Sequence, residues 1–175
     1  MYYQTLIKKS SAHLSTLPIS SQTKISTNVF SSGALWMHQR LNEITSSNRG
    51  LLTNINFAFY GLLKYSISLA LCIASAILFY KLHPLFIPLC VIVFYLAEVQ
   101  FLFLFPLILE GVQTPILTSI KQTYKTGIIK CAANILPIGA YMLFGLFNKK
   151  APLKNWYIGC MCVLIWYNDE VRSRL

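Results

Sequence analysis

From Leu82 to Glu110 the chain reads LHPLFIPLCVIVFYLAEVQFLFLFPLILE, with Glu98 as the one charged residue inside it. A helix through that run, at 1.5 Å per residue, is longer than the hydrocarbon layer of a bilayer is thick. A helix that is apolar all round needs either a large protein core or lipid about it. A second run, Phe57 to Tyr80, has Lys64 as its only charge, and a third follows at 127–147. A chain of 175 residues has no core large enough for all of them. Composition agrees: 55% of residues are hydrophobic and 11% charged, where a soluble domain carries about a quarter charged. The apolar excess has to face lipid or protein partners.

The chain therefore reads as an all-α integral membrane protein: about four transmembrane helices at 57–80, 83–108, 127–147 and 151–167, preceded by an amphipathic N-terminal arm at 1–50. Pro84 and Pro88 fall at the start of the second span, where a missing amide costs least. Pro106 kinks or closes its far end. One tilted helix is favoured there over a hairpin broken around Glu98-Val99-Gln100, because a turn in hydrocarbon leaves backbone groups unpaired. Residues 111–126, with Pro115, Lys121 and Lys125, read as a polar loop. The last run is short, near the lower limit for a span even when started at Ala151. Trp156-Tyr157 and Trp166-Tyr167 bracket it, aromatic pairs of the kind that anchor helices at membrane interfaces.

The arm is rich in Ser and Thr, with Glu43 as its one acid and Lys8, Lys9, Lys24, Arg40 and Arg49 as cations. That composition resembles an organellar transit peptide, although the arm is expected to be retained. Ala34, Met37, Leu41 and Ile44 form one stripe on a short helix near 33–46, with Ser31 or Ser32 as its N-cap. It reads either as an interfacial helix lying along the membrane or as one packed on the protein itself. Residues 1–30 are expected to be loosely ordered or shaped by a partner.

The formal net charge of +10 would suggest nucleic acid in a soluble protein. Here the cations flank the apolar runs, where anionic headgroups attract them, and no nucleic-acid-binding motif accompanies them. Membrane lipids and other membrane-protein subunits are the expected partners, with no nucleic acid. With four spans, ten cations fall on the side of the N-terminus and four (Lys81, Lys149, Lys150 and Lys154) on the other. The positive-inside rule then puts both termini on the inner side of a bacterial cytoplasmic or organellar inner membrane.

Glu98 is the residue with most to say about chemistry. An ionised carboxylate at mid-membrane costs roughly 3 kcal/mol on insertion scales, so it must be protonated, paired or turned to protein or water. Lys64 stands at a comparable depth on the first span, and its long stem can close the remaining gap. The pair reads as a proton- or ligand-handling group or as a structural ion pair. Gln100 faces roughly 200° away from Glu98 and is expected to bond another helix or subunit. Asn134 in the third span is expected to bond a neighbouring helix. Two small-residue ladders on the first span, Ser66/Ala70/Ala74 and Ser68/Cys72/Ala76, permit close helix approach. Glu110 reads as a solvated end residue.

Cys72, Cys90, Cys131, Cys160 and Cys162 lie among apolar residues without metal-ligand spacing, and read as small packing residues. His13, His38 and His83 are too scattered for a haem or di-iron site. No CxxCH, aspartate-rich, GxSxG or phosphate-loop motif occurs. Bound lipid is expected, with no metal and no other cofactor. These readings favour an accessory or structural subunit of a larger multi-subunit membrane complex, without catalysis of its own. The alternatives are a small proton- or ion-coupled transporter or channel using Glu98, and a membrane-embedded lipid-modifying enzyme drawing on Glu110, Asn168, Asp169 and Glu170.

Overall fold

The computed structural model describes residues 2–15, 29–46, 50, 55–148, 151 and 153–175. Every regular element among them is helical. Three stretches are long and apolar enough to cross a membrane: Phe57–Leu82, Pro84–Leu109 and Ile128–Leu146. Lys24, Arg49, Lys149 and Lys150, which entered the charge comparison, lie outside the described residues.

The first span is helix α3, Phe57–Leu82. The Asn56 side chain caps it by accepting from the amide of Phe59 at 3.0 Å. It ends at His83, whose backbone is extended and whose Nδ1 accepts from the amide of Leu85 at 3.2 Å. Pro84 then opens a 3-10 turn, Pro84–Leu89, at a position where its missing donor costs nothing. His83 is thus the cap that reverses the chain. The second span returns antiparallel to α3 through α4 (Cys90–Gln100) and α5 (Leu104–Leu109).

The second span is neither an unbroken helix nor a hairpin. At Phe101–Phe103 it tightens into 3-10 turns, with the amides of Phe101, Leu102 and Leu104 bonding carbonyls three residues back at 3.1–3.2 Å. The interruption is tolerated because a further helix supplies the missing partners. Residues 115–126, read from sequence as part of a loop, form α6 (Pro115–Thr126) with Pro115 in its first turn. Ser119 Oγ donates to the carbonyl of Gln100 at 2.9 Å, and Thr123 Oγ1 to that of Val99 at 3.4 Å. Protein hydroxyls thus satisfy backbone groups at a break that lipid could not.

Gly127, at φ +99°, joins α6 to α7 (Ile128–Leu146) without a longer loop. The expected fourth span becomes α8, Lys154–Trp166, which at 13 residues is about 20 Å long. It is not among the helices that qualify as spans. Instead it is the centre of the core, packed by α7, by α1 (Tyr2–Ser15) and by α2 (Val29–Thr45). Ile158, Met161, Cys162, Leu164 and Trp166 are buried there together with Leu6, Trp36, Leu41, Phe103, Leu104, Leu107 and Ile108. Phe103 and Tyr2 both meet Trp166 edge-on, at centroid separations of 5.8 and 5.7 Å.

The arm also differs from its sequence reading. Tyr2–Ser15 is an ordered helix held on α8, and α2 begins at Val29, ahead of the serines expected to cap it. Ala34 and Leu41 of the expected stripe are buried, joined by Trp36, His38 and Arg40, so α2 packs on α3, α5 and α8 over a broader front than one stripe. The molecule is therefore a helical body of α1, α2, α5, α6, α7 and α8 with an apolar hairpin of α3 and α4 extending from it. Only 6% of the apolar window of α3 is buried, and Phe59, Leu62, Leu69, Ile73, Ile77 and Leu78 point outward.

Candidate functional site

The antiparallel pairing of α3 and α4 brings Lys64 to Glu98. Lys64 Nζ lies 2.8 Å from Glu98 Oε2, and the ammonium also stands 5.3 Å from the centroid of the Tyr65 ring. Glu98 Oε1 is buried without a hydrogen-bond partner, as is the hydroxyl of Ser68 one turn along α3. The register of that pair sets Cys72 and Cys90 opposite one another two turns further up the hairpin. A directly paired ammonium and carboxylate cancel most of each other's field in a low-dielectric layer. Such a pair pins two helices; to carry a proton it would first have to open.

The other singled-out residues divide. Gln100 is not part of the pair: its Oε1 is buried and unpartnered, while its carbonyl takes the Ser119 bond. Asn134 reaches another helix, its Oδ1 accepting from the amide of Tyr3 at 3.0 Å and its Nδ2 donating to the carbonyl of Lys130 at 2.8 Å. It thereby satisfies an amide in the first turn of α1, which an intrahelical bond cannot reach. The two ladders face different ways: Ser68 is buried, with Cys72 and Ala76 half-buried, whereas Ser66, Ala70 and Ala74 are exposed. Of the aromatic pairs expected at interfaces, Trp166 and Tyr167 are fully enclosed in the core, a correction that follows from α8 being wrapped by α1 and α2. Tyr157 is half-buried against Trp36, at a centroid separation of 5.0 Å, and Trp156 is exposed.

Sequence reading missed the remaining acids. Glu110, expected to be a solvated end residue, has only 10% of its side chain exposed. It accepts from Arg172 Nε at 2.7 Å and from the Tyr167 hydroxyl at 2.6 Å. Glu170 pairs with Lys130 at 2.7 Å, Asp169 with Lys9 at 3.6 Å, and Glu43 with Arg40 at 2.7 Å. With Lys64 and Glu98, that accounts for all five acidic side chains of the chain. Burial, then the nearby Glu170 and Asp169, push the Tyr2 phenol up, keeping it neutral beside this cluster. Apart from Arg40–Glu43, three residues apart on α2, these pairings join residues distant in sequence, so no spacing announces them.

An open groove of about 550 Å³ between α1 and α2 is lined by Lys9, Ala12, His13, Glu43, Ile44 and Ile165. His13 Nε2 stands 3.9 Å from Glu43 there. Among the described residues no three His, Cys, Asp or Glu side chains come together as a metal-binding group. Comparison with protein-family models, with curated proteins and with solved structures gave no match.

Proposed function

We propose that this chain is an accessory or structural subunit of a larger multi-subunit membrane complex, contributing helix contacts rather than catalysis. The observation that carries the reading is that the one carboxylate within its second span, Glu98, is locked to Lys64 of the adjacent helix. The four other acids are likewise tied within the chain. Its acidic groups are spent on ion pairs within the chain. What α3 presents outward instead is an apolar face carrying Ser66, Ala70 and Ala74, small residues of the kind that let a neighbouring helix approach closely. In this reading the exposed face of α3 meets a partner helix, lipid fills the rest of the apolar surface, and the membrane is a bacterial cytoplasmic or organellar inner one. Both termini lie on its inner side: α8 runs back along α7, from Asn155 beside Gly145 to Glu170 paired with Lys130, and so returns the chain to the side where Lys9 pairs with Asp169.

The test is the native mass of the protein extracted from its own membrane in mild detergent, with co-purifying chains identified. Recovery in a stoichiometric hetero-complex, broken up by Ala70→Leu, supports the reading. Recovery alone or as a homo-oligomer overturns it. One observation favours a second reading, a proton- or ion-coupled transporter: the unpartnered Oε1 of Glu98. That reading requires Glu98→Gln to abolish flux in reconstituted vesicles while the protein still folds, and unchanged flux ends it.

A further inference from the structure

Helix α6 is amphipathic in the inverted sense. The face it turns inward is polar, with Ser119, Gln122, Thr123 and Thr126 all buried, and two of these, Ser119 and Thr123, bond carbonyls of the broken second span. The face it turns outward holds Leu117 and Tyr124, 68% and 60% exposed, interleaved with the exposed Lys121 and Lys125. These four recur at i, i+4, i+7 and i+8 and so form one stripe. The helix contains no acid, and it connects the second span to α7 on the side of the membrane where α3 begins. Leucine and tyrosine bury at the headgroup level while lysine stems reach outward to the phosphates.

The charge ledger decides what those lysines meet. The chain has ten more cations than acids, and each acid already holds a cation other than Lys121 or Lys125. No acidic side chain of the chain is left to neutralise them. We infer that the outward stripe of α6 is a docking surface for anionic phospholipid headgroups, with Leu117 and Tyr124 seated at the acyl boundary and Lys121 and Lys125 on the phosphates. The inference does not depend on the subunit reading, since a free-standing protein needs the same counter-charge.

The experiment places a fluorophore on the stripe as Tyr124→Trp, with Leu117→Trp as a second position, and reconstitutes the full chain in phosphatidylcholine vesicles containing a minority of phosphatidylglycerol. Quenching is read as the difference from the parent protein, with bromine carried on the acyl chains of one lipid or the other. Quenching by brominated phosphatidylglycerol should exceed its share of the bilayer, by roughly fivefold for each lysine. The excess should vanish in the Lys121→Gln/Lys125→Gln background and shrink as salt is raised, while quenching by brominated phosphatidylcholine persists. Equal quenching by both lipids, or an excess that survives loss of both lysines, overturns the inference. So does the absence of quenching by either lipid at both positions, which would mean that another protein covers the stripe.

Discussion

Removing one member of the Lys64–Glu98 pair tests the central geometry of the hairpin. At 2.8 Å and an effective dielectric constant near 20, the gross attraction is about 6 kcal/mol. Both side chains are less than a fifth exposed, so solvent screening removes little of it. Part of the gross value offsets the desolvation of two charges, and breaking one buried pair by losing a single partner costs about 3–5 kcal/mol. Lys64→Met strands the carboxylate among apolar residues and is expected to destabilise by about 3 kcal/mol, in line with the insertion cost of a lone mid-membrane charge. Glu98→Leu strands the ammonium and should cost somewhat less, because the lysine stem can carry its head toward the nearer boundary. The double variant Lys64→Met/Glu98→Leu should return to within about 1 kcal/mol of the parent, since an apolar replacement of a buried pair is close to neutral. The assay is reversible unfolding in mixed micelles titrated with an anionic detergent, followed by tryptophan emission and helical circular dichroism. Additive losses in the double variant, or single losses below about 1 kcal/mol, would refute a direct pair between α3 and α4.

Three further outcomes follow from the packing. Mild thiol oxidation of the reconstituted protein should join Cys72 to Cys90, read as the loss of two hydrogens and a cross-linked tryptic pair, and Cys72→Ser should abolish the product; no cross-link would put the hairpin in another register. Gly145→Ala should destabilise by about 1–3 kcal/mol by overpacking, because its new methyl overlaps Cβ of Asn155 on α8. Gly159→Ala should cost less, since what it meets is the flexible thioether of Met142, and an equal or reversed order in the same unfolding assay would contradict the α7–α8 contact. Ser119→Ala should cost about 1–3 kcal/mol by orphaning the carbonyl of Gln100 and should speed amide exchange at Phe101–Leu104; exchange unchanged there would mean that α6 does not support the break.

How much of this was legible without coordinates depends on the range of the interaction. The length of the run over 82–110, the prolines at its start and the similar depth of Lys64 and Glu98 are local or depend only on a short connection. Periodicity and rise per residue therefore suffice for two antiparallel helices with a lysine and a glutamate at comparable levels. Asn134 and Gln100 could be marked as polar groups needing partners, but not assigned them. Lys9–Asp169, Lys130–Glu170 and Arg172–Glu110 join residues that only the packed chain brings together, and no spacing in the sequence encodes them.

Two differences from the sequence reading share one physical cause. The polar face of α6 was taken for part of a solvated loop, although Pro115 in a first turn and the spacing of Ser119, Gln122, Thr123 and Thr126 already describe a helix with one polar side. Polarity in sequence does not say whether a group faces water or a broken backbone inside the protein. The apolar residues of α8, read as a short fourth span, are sheathed by α1 and α2 rather than turned to lipid. The sequence by itself determined that this chain must live in a membrane, because its apolar runs exceed what its own size can bury. Which apolar helix faces lipid and which forms the core was decided only by tertiary packing, because lipid and protein interiors ask the same hydrophobicity of a side chain and differ only in which neighbours surround it.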